Sequence, residues 1–133
     1  MKIIIHGGFF SESSTSNETK VAKQQALLRI VKQSFAYLKN HTALETVVYA
    51  VSLLEDDELF NAGMGSQIQS DGKIRMSASL MDGTTQKFSG VINIEEVKNP
   101  IQVAEVLLKV DDRVLGGEGA TAFARANGFE KFS

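Results

Sequence analysis

Residues 54–66 constrain the fold of this chain more than any other stretch. Their sequence, Leu-Glu-Asp-Asp-Glu-Leu-Phe-Asn-Ala-Gly-Met-Gly-Ser, carries an amphipathic helix into a loop with two glycines. Gly63 and Gly65 permit positive φ, so neighbouring carbonyls can turn toward one point. Convergent carbonyls can bind a hard cation without any charged ligand, although glycine-rich loops more often form simple turns. In either case such a loop fixes backbone groups and presents no reactive side chain.

Two helices are predicted before this loop. The first covers residues 17–40 and has one apolar stripe, which we expect to face the core: Val21, Leu28, Val31, Phe35 and Leu38. Thr42 and Glu45 form the capping-box pattern that begins the second helix, because each can satisfy a backbone N–H near the other. The acidic run of residues 55–58 ends that helix, and adjacent carboxylates there are expected to splay into solvent.

Strands are predicted at the start of the chain and after the loop. Residues 2–5 form a short buried strand that Gly7 and Gly8 end. Asp71-Gly72 is a two-residue hairpin pattern, and a second strand pair turns at Gly83. The paired segments are residues 67–70 with 73–76, and residues 78–81 with 87–94.

Two more helices complete the predicted order. Asn99-Pro100 begins a third helix with a cap and a fixed φ, and residues 120–126 form a fourth. One strand, two helices, several antiparallel strands and two helices indicate an α+β fold and not alternating βαβ units. No internal repeat or composition shift divides the chain, so residues 1–133 are predicted to belong to one domain.

Composition excludes several classes of function. The chain of 133 residues is 43% hydrophobic, carries a net charge of −2 and has no basic run, so it can form a core but does not suit nucleic acid. No apolar run approaches the roughly 20 residues that cross a bilayer, and the first residues do not form a signal peptide. The absence of cysteine excludes thiolate catalysis and disulfides. We therefore expect a cytoplasmic protein.

No complete catalytic apparatus is visible in the residues. There is no G-x-S-x-G pattern for a serine nucleophile. His6 and His41 lie on different elements, and a structural or solvated role is the better interpretation of each. Residues 116–119, Gly-Gly-Glu-Gly, lack the Lys-Ser/Thr ending of a phosphate loop, so a turn that begins a helix is preferred. Part of the chemistry is expected to lie outside this chain.

Five segments, in order, resemble the plant-type asparaginase and isoaspartyl aminopeptidase family of N-terminal nucleophile hydrolases. They are Ile5-His6-Gly7-Gly8, residues 54–66, the run Ala78-Ser79-Leu80-Met81-Asp82-Gly83, Asn99-Pro100-Ile101, and Gly117-Glu118-Gly119-Ala120 followed by Phe123-Ala124. The resemblance implies an αββα sandwich of which this chain is the N-terminal (α) half. It also implies a precursor that cleaves itself into α and β chains and works as an (αβ)2 assembly.

The resemblance further implies a reaction. A threonine at the new N-terminus of the β chain would attack the side-chain amide of asparagine or the isopeptide bond of a β-aspartyl peptide, with its own α-amino group as base. None of the threonines of this chain suits that role, so the β chain is expected to supply the nucleophile. A glycosylasparaginase or a protease-like relative on the same fold is a weaker alternative. A non-catalytic cation-binding or interaction module on the same scaffold is another.

The residues that match the family motifs receive roles by resemblance. The loop matches a sodium-binding stabilisation loop, and Asn61 matches an asparagine close to the nucleophile. Gly7 and Gly8 match the loop beside the cleavage site. The sodium ligands would be the main-chain carbonyls of Leu54, Glu55, Asp57, Phe60, Ala62 and Met64.

Four departures from the family pattern are visible, and one of them is Asp57, which replaces a residue commonly followed by Pro. Phe9-Phe10 replaces small residues after His-Gly-Gly, and Ser77 stands where the family usually has Asp. Asp112 falls about where many members carry His ahead of the Gly-Glu-Gly-Ala turn, so activation by potassium is not implied. Ser77 and Phe9-Phe10 favour the non-catalytic alternative.

Overall fold

A computed structural model describes residues 1–8, 17–111 and 113–133, which fall into two compact units, Met1–Gly65 and Ser66–Ser133. In those residues the predicted α+β class is confirmed; the expectations for Phe9, Phe10 and Asp112 lie outside them. The elements are α1 (Asn17–Leu38), α2 (Ala43–Glu55), a 3₁₀ turn (Gly63–Gly65), β1 (Met76–Asp82), β2 (Lys87–Ile94), α3 (Pro100–Val110), β3 (Val114–Gly116) and α4 (Gly117–Ala126). None of the helices in the described ranges is long and apolar enough to cross a membrane.

The start of α2 is the capping box that the sequence predicts. The Glu45 N–H donates to Thr42 Oγ1 at 3.1 Å, and the Thr42 N–H donates to Glu45 Oε2 at 2.9 Å. Two N–H groups without helical partners are thereby satisfied. The core of the first unit lies between the helices and the loop after α2, and consists of Ala26, Ile30, Leu54 and Phe60.

The predicted core stripe of α1 was wrong. Val21, Leu28 and Phe35 are exposed, and the residues buried along α1 are Ala26, Ile30 and Ser34. The helix has two apolar faces, because Ala26, Leu27 and Ile30 line the side opposite the stripe. Periodicity shows that each face is apolar but does not show which of the two packs against the core of the unit.

Ser34 is buried with no hydrogen-bond partner for its hydroxyl in the described residues. A buried hydroxyl without a partner destabilises the folded state, and alanine has the higher helix propensity. We predict that Ser34→Ala raises the free energy of unfolding by about 1 kcal/mol. Chemical denaturation measures this change.

Ser89→Ala is the matched control for this prediction. Ser89 is equally buried, but its Oγ donates to the Ala104 carbonyl at 2.6 Å. Loss of that bond should lower the free energy of unfolding by about 1 kcal/mol. The same sign for both variants would show that the Ser34 hydroxyl is satisfied in solution.

No strand forms over residues 2–5, so that prediction was wrong for the chain as described. A strand requires a neighbouring strand to bond its N–H and C=O groups, and the described part of the first unit contains helices and a 3₁₀ turn only. Ile5 packs against the core cluster, whereas Ile4 is 92% exposed. Of these two apolar side chains, only Ile5 is therefore packed within the described part of its own unit.

The second unit contains one three-stranded sheet in the order β1-β2-β3. β1 and β2 are antiparallel, with Asp82 opposite Lys87, as predicted for the pair that turns at Gly83. β3 pairs in parallel with β2, which corrects the expectation of antiparallel strands only. Three residues ending in glycine carry no strand pattern, so β3 could not be found by periodicity. The core holds Met76, Val91, Ile94, Val97, Val103, Leu107, Ala120 and Ala124.

The Asp71-Gly72 turn forms without the strands predicted beside it. The Gln69 N–H donates to the Lys73 carbonyl at 2.8 Å and the Gly72 N–H to the Gln69 carbonyl at 2.9 Å. Of the two flanking segments only Met76 belongs to a strand. Residues 67–74 are exposed, so no buried face stabilises a longer ladder.

The helix predictions of the second unit hold with one shift. α3 begins at Pro100 after the cap Asn99, although the Asn99 side chain makes no capping bond. α4 begins at Gly117, three residues earlier than predicted, because Gly117 adopts a φ of +55° and turns the chain directly from β3 into the helix. Residues 116–119 are thus a helix-initiating turn, as preferred.

One face of the sheet is left apolar and exposed. Met81 and Phe88 stand opposite each other in the register and are 64% and 45% exposed. Ile92 lies four residues along β2 from Phe88, and Val114 of β3 pairs with Gly90 on the same side. We call these four residues, Met81, Phe88, Ile92 and Val114, the outer face. Exposed apolar patches of this kind mark interaction surfaces.

Candidate functional site

The loop after α2 is a series of hydrogen-bonded turns. The Asp56 N–H closes α2 by donating to the Ser52 carbonyl at 2.9 Å. The Phe60 N–H then donates to the Asp57 carbonyl at 3.3 Å, and the Ala62 N–H to the Phe60 carbonyl at 2.8 Å. The last turn joins the Gly65 N–H to the Ala62 carbonyl at 3.1 Å. Successive tight turns bring carbonyls that are distant along the loop close together in space.

Two glycines face these carbonyls directly. Gly63 has a φ of +53°, and a Cβ built on it would collide with the Glu55 carbonyl. A Cβ on Gly65 would collide with the Phe60 carbonyl and lie 2.8 Å from the Glu58 oxygen. The carbonyls of Glu55, Glu58 and Phe60 therefore turn toward the two glycines. Glu55 and Phe60 belong to the predicted ligand set, and Glu58 is one that the family resemblance did not supply.

A side chain from α1 holds the loop in place. Arg29 Nη2 lies 3.2 Å from Asp57 Oδ2, and Asp57 Oδ1 accepts the Leu59 N–H at 2.9 Å. Glu55 is only 2% exposed and Asp57 is partly buried, whereas Asp56 and Glu58 are exposed as predicted. The pairing of Asp57 could not be predicted because Arg29 lies 28 residues away in the chain, where no local pattern reveals it. A cleft of about 500 Å³ opens beside this pair.

The chemistry of the loop suits a cation held by main-chain oxygens. In the residues that the structure describes, no group of three acidic or histidine side chains could hold a metal. The candidate ligands of the loop are its backbone carbonyls. The Phe60 and Ala62 carbonyls each accept one N–H, and a carbonyl oxygen has a second lone pair. Neutral carbonyl ligands match a cation of low charge, which needs little compensation.

Gly7 lies against the same loop. A Cβ on Gly7 would sit 2.7 Å from Phe60 Cε1 and 2.8 Å from Leu27 Cδ2. Lys23 Nζ is 5.9 Å from the centre of the Phe60 ring. The structure thus brings together the matched glycine segment and the loop. Asn61, which follows Phe60, is exposed beside this contact.

Ser77 has a structural contact of its own. Its Oγ accepts the Asn93 N–H at 3.2 Å, where β1 and β2 shift register between Met76 and Ala78. Asn93 has a φ of +55° at this bulge. Ser77 therefore stabilises the irregular pairing of the two strands.

A polar cleft of about 630 Å³ in the second unit was not foreseen. Arg75 pairs with Asp71 at 2.7 Å and with Glu95 at 3.1 Å. The Arg75 guanidinium lowers the pKa of the Asp71 carboxyl through a direct hydrogen bond, and Asp71 in turn raises the pKa of Arg75. Cations and carboxylates are balanced around this cleft, so it has no charge preference for a ligand.

Comparisons with known proteins place the chain in a family. The family model described as Asparaginase matches residues 1–133, and the chain belongs to this family. An isoaspartyl peptidase/L-asparaginase of Synechocystis sp. is 47% identical over 93% of this chain and 37% of its own length. A plant-type L-asparaginase of Thermococcus kodakarensis is 42% identical over 98% of the chain and 42% of its length. An isoaspartyl peptidase/L-asparaginase of Bos taurus is 35% identical over 95% and 41%.

The family resemblance found in the motifs is thereby confirmed. The chain spans about two-fifths of the length of these curated relatives, with shares between 37% and 42%. It therefore corresponds to a part of each relative and not to the whole.

Proposed function

We propose that this chain is the α subunit of a threonine-dependent amidohydrolase that cleaves β-aspartyl peptides, L-asparagine or both. A second polypeptide from the same precursor would complete an αββα sandwich and assemble as (αβ)2. Family membership and the short span relative to the relatives support this proposal.

The outer face is the observation that carries the proposal. Met81, Phe88, Ile92 and Val114 form an apolar sheet surface that no described residue of the second unit covers. Helices α3 and α4 supply the core on the other side of the sheet. A sheet that is apolar on both faces needs a second covering layer, and a β-chain sheet would supply it.

The proposed reaction is an acyl transfer in two steps. The hydroxyl oxygen of the β-chain threonine attacks the side-chain carbonyl carbon of the substrate while the α-amino group of that threonine takes the proton. The C–N bond then breaks, ammonia or a peptide amine leaves with the returned proton, and an aspartyl ester remains. Water hydrolyses the ester, which releases aspartate and restores the threonine. One residue that holds both nucleophile and base has the required geometry fixed in advance.

Residues of this chain would position that nucleophile. Asn61 is exposed beside Phe60 and could hydrogen-bond the threonine. Gly7 packs on Phe60 and Gly8 has a φ of +126°, and these contacts support the proposal that this segment passes beside the cleavage site. A sodium ion held by the carbonyls of the loop, with Glu58 as an additional candidate, would stabilise the backbone that carries Asn61.

The proposal predicts two polypeptides in the purified protein. The full-length gene product should give, by intact mass and N-terminal sequencing, an α chain and a second chain that begins with threonine. It should release ammonia from asparagine or aspartate from a β-aspartyl dipeptide. Alanine in place of that threonine should reduce turnover by at least about 10³-fold, and serine should retain part of the activity. A single inactive species of 14.5 kDa would contradict the proposal.

A non-catalytic cation-binding module is the second candidate. Ser77 favours it, because a strand contact occupies its hydroxyl where the family usually has a carboxylate. Under this alternative the protein would have two chains but no turnover of either substrate. The activity assay therefore separates the two candidates even when the chain composition does not.

A further inference from the structure

The outward side of α1 carries an apolar stripe that the described residues of its own unit leave exposed. Val21, Leu28 and Phe35 are 50%, 53% and 37% exposed and are spaced seven residues apart. A spacing of seven keeps side chains on one side of a helix. We call these three residues the outer seam. Because Ala26 and Ile30 already fill the core on the opposite side, the outer seam is available to another partner.

Charges stand at the two ends of the outer seam. Glu18 lies in the first turn of α1, and Lys39 follows its last residue. Lys39 Nζ is 5.8 Å from the centre of the Phe35 ring, which places it on the side of the outer seam. Measured from Leu28, the acid is ten residues before and the base eleven residues after. The two charged residues are therefore at nearly equal distances along the chain from Leu28, on opposite sides of it, and have opposite charges.

We propose that a second copy of this chain docks on the outer seam, with its α1 antiparallel and the two-fold axis at Leu28. This arrangement sets Leu28 against Leu28 and the smaller Val21 against the larger Phe35. Glu18 of each copy then lies near Lys39 of the other, and opposed helix dipoles are favourable. Lys32 falls opposite the neutral Gln24. Each residue contact occurs twice, as an isologous interface requires.

The alternatives fit the same surface less well. A parallel pair would set Lys32 against Lys32 and Lys39 against Lys39, which costs free energy. An anionic membrane would attract these lysines but repel Glu18 at the other end. The inference rests on the proposed function, because it assigns the surface through which the two copies of the (αβ)2 assembly pair.

Cross-linking tests this contact in the complete protein, with any partner polypeptide that it carries. The 133 residues contain no cysteine, so Leu28→Cys gives this chain a single thiol, at the proposed axis. Val47→Cys is the matched control, because Val47 is 46% exposed on α2 of the same unit. Mild oxidation should give at least ten times more disulfide-linked α-chain dimer for Leu28→Cys than for Val47→Cys. Equal yields would overturn the inference.

A second variant tests the same contact without cross-linking. Leu28→Glu should halve the mass measured by sedimentation at micromolar concentration. The melting temperature of each separated half of the assembly should stay within a few degrees of that of the unsubstituted protein. An unchanged mass would overturn the inference. If a variant of unchanged mass also lost binding to phosphatidylserine vesicles, the outer seam would be a membrane surface instead. Intact mass of the same samples reports the β chain independently, so a failure of the proposed function is recognised separately.

Discussion

Gly63→Ala is expected to lower the free energy of unfolding by at least about 3 kcal/mol. The φ of +53° costs an alanine about 1–2 kcal/mol. The new Cβ would also overlap the Glu55 carbonyl and lie 2.6 Å from the Glu55 Cβ, and Glu55 is buried. Since backbone and a buried residue cannot move aside cheaply, the loop must open. Urea denaturation of the complete protein measures the loss.

Two other glycines separate the causes of this effect. Gly72 has a φ of +80° but open space around it, so Gly72→Ala should cost only the strain of about 1 kcal/mol. Gly83 has open space and no unusual φ, so Gly83→Ala should stay within about 0.5 kcal/mol. If Gly63→Ala cost no more than Gly72→Ala, the close approach of the Glu55 carbonyl would be disproved.

The same variant reports on the proposed sodium ion. A cation that binds only the folded loop raises the stability of the protein, by about 2.7 kcal/mol at one hundred times its dissociation constant. The unsubstituted protein should therefore melt at a higher temperature in sodium chloride than in tetramethylammonium chloride of equal ionic strength. Gly63→Ala should lose this difference, and Gly83→Ala should keep it. An unsubstituted protein that shows no difference between the salts would contradict a sodium site.

Local patterns predicted those parts of the fold that local physics determines. The Thr42 cap, the start of α3 at Pro100 and the turn at Gly72 each depend on two to four adjacent residues. The strand pair about Gly83 was equally clear, because alternation and turn chemistry agree there. In each of these cases, the residues that determine the local structure are the same residues that adopt it.

Features that depend on distant residues were not predictable in this way. The outward stripe of α1 was assigned to the core because periodicity identifies an apolar face but not what covers it. Residues 2–5 have strand composition, yet strand formation depends on a neighbour that the described residues do not provide. β3 exists only because β2 lies beside it. All three features depend on tertiary contacts, which is why the sequence-based predictions of them failed.

The candidate site likewise has features that depend on local sequence and features that depend on distant residues. The close approach of the Glu55 carbonyl to Gly63 is permitted by the glycine itself and could be argued from the sequence. The Arg29–Asp57 pair, the packing of Gly7 on Phe60 and the burial of Glu55 join segments far apart in the chain. A family motif marks such residues as matched, but it does not state which of them touch.

Phe88→Asp is expected to abolish activity and association with the second polypeptide while leaving this chain folded. Phe88 is 45% exposed in the described structure, so a carboxylate there is solvated and disturbs the unit little. Within a covered sheet the same carboxylate would be buried without a partner, at a cost of several kcal/mol. Activity should fall at least about 100-fold, the equivalent of 2.7 kcal/mol. Co-purification of the two chains and turnover of asparagine measure the effect.

Val110→Asp is the matched control for the outer face. Val110 is also an exposed apolar residue of the second unit, at 65%, but it lies at the end of α3. A carboxylate near a helix C-terminus costs only about 0.5 kcal/mol, so activity and association should persist. If Phe88→Asp behaved like Val110→Asp, the outer face would be solvent-exposed in the functional protein. An αββα sandwich would then be excluded, because its two sheets must meet across this surface.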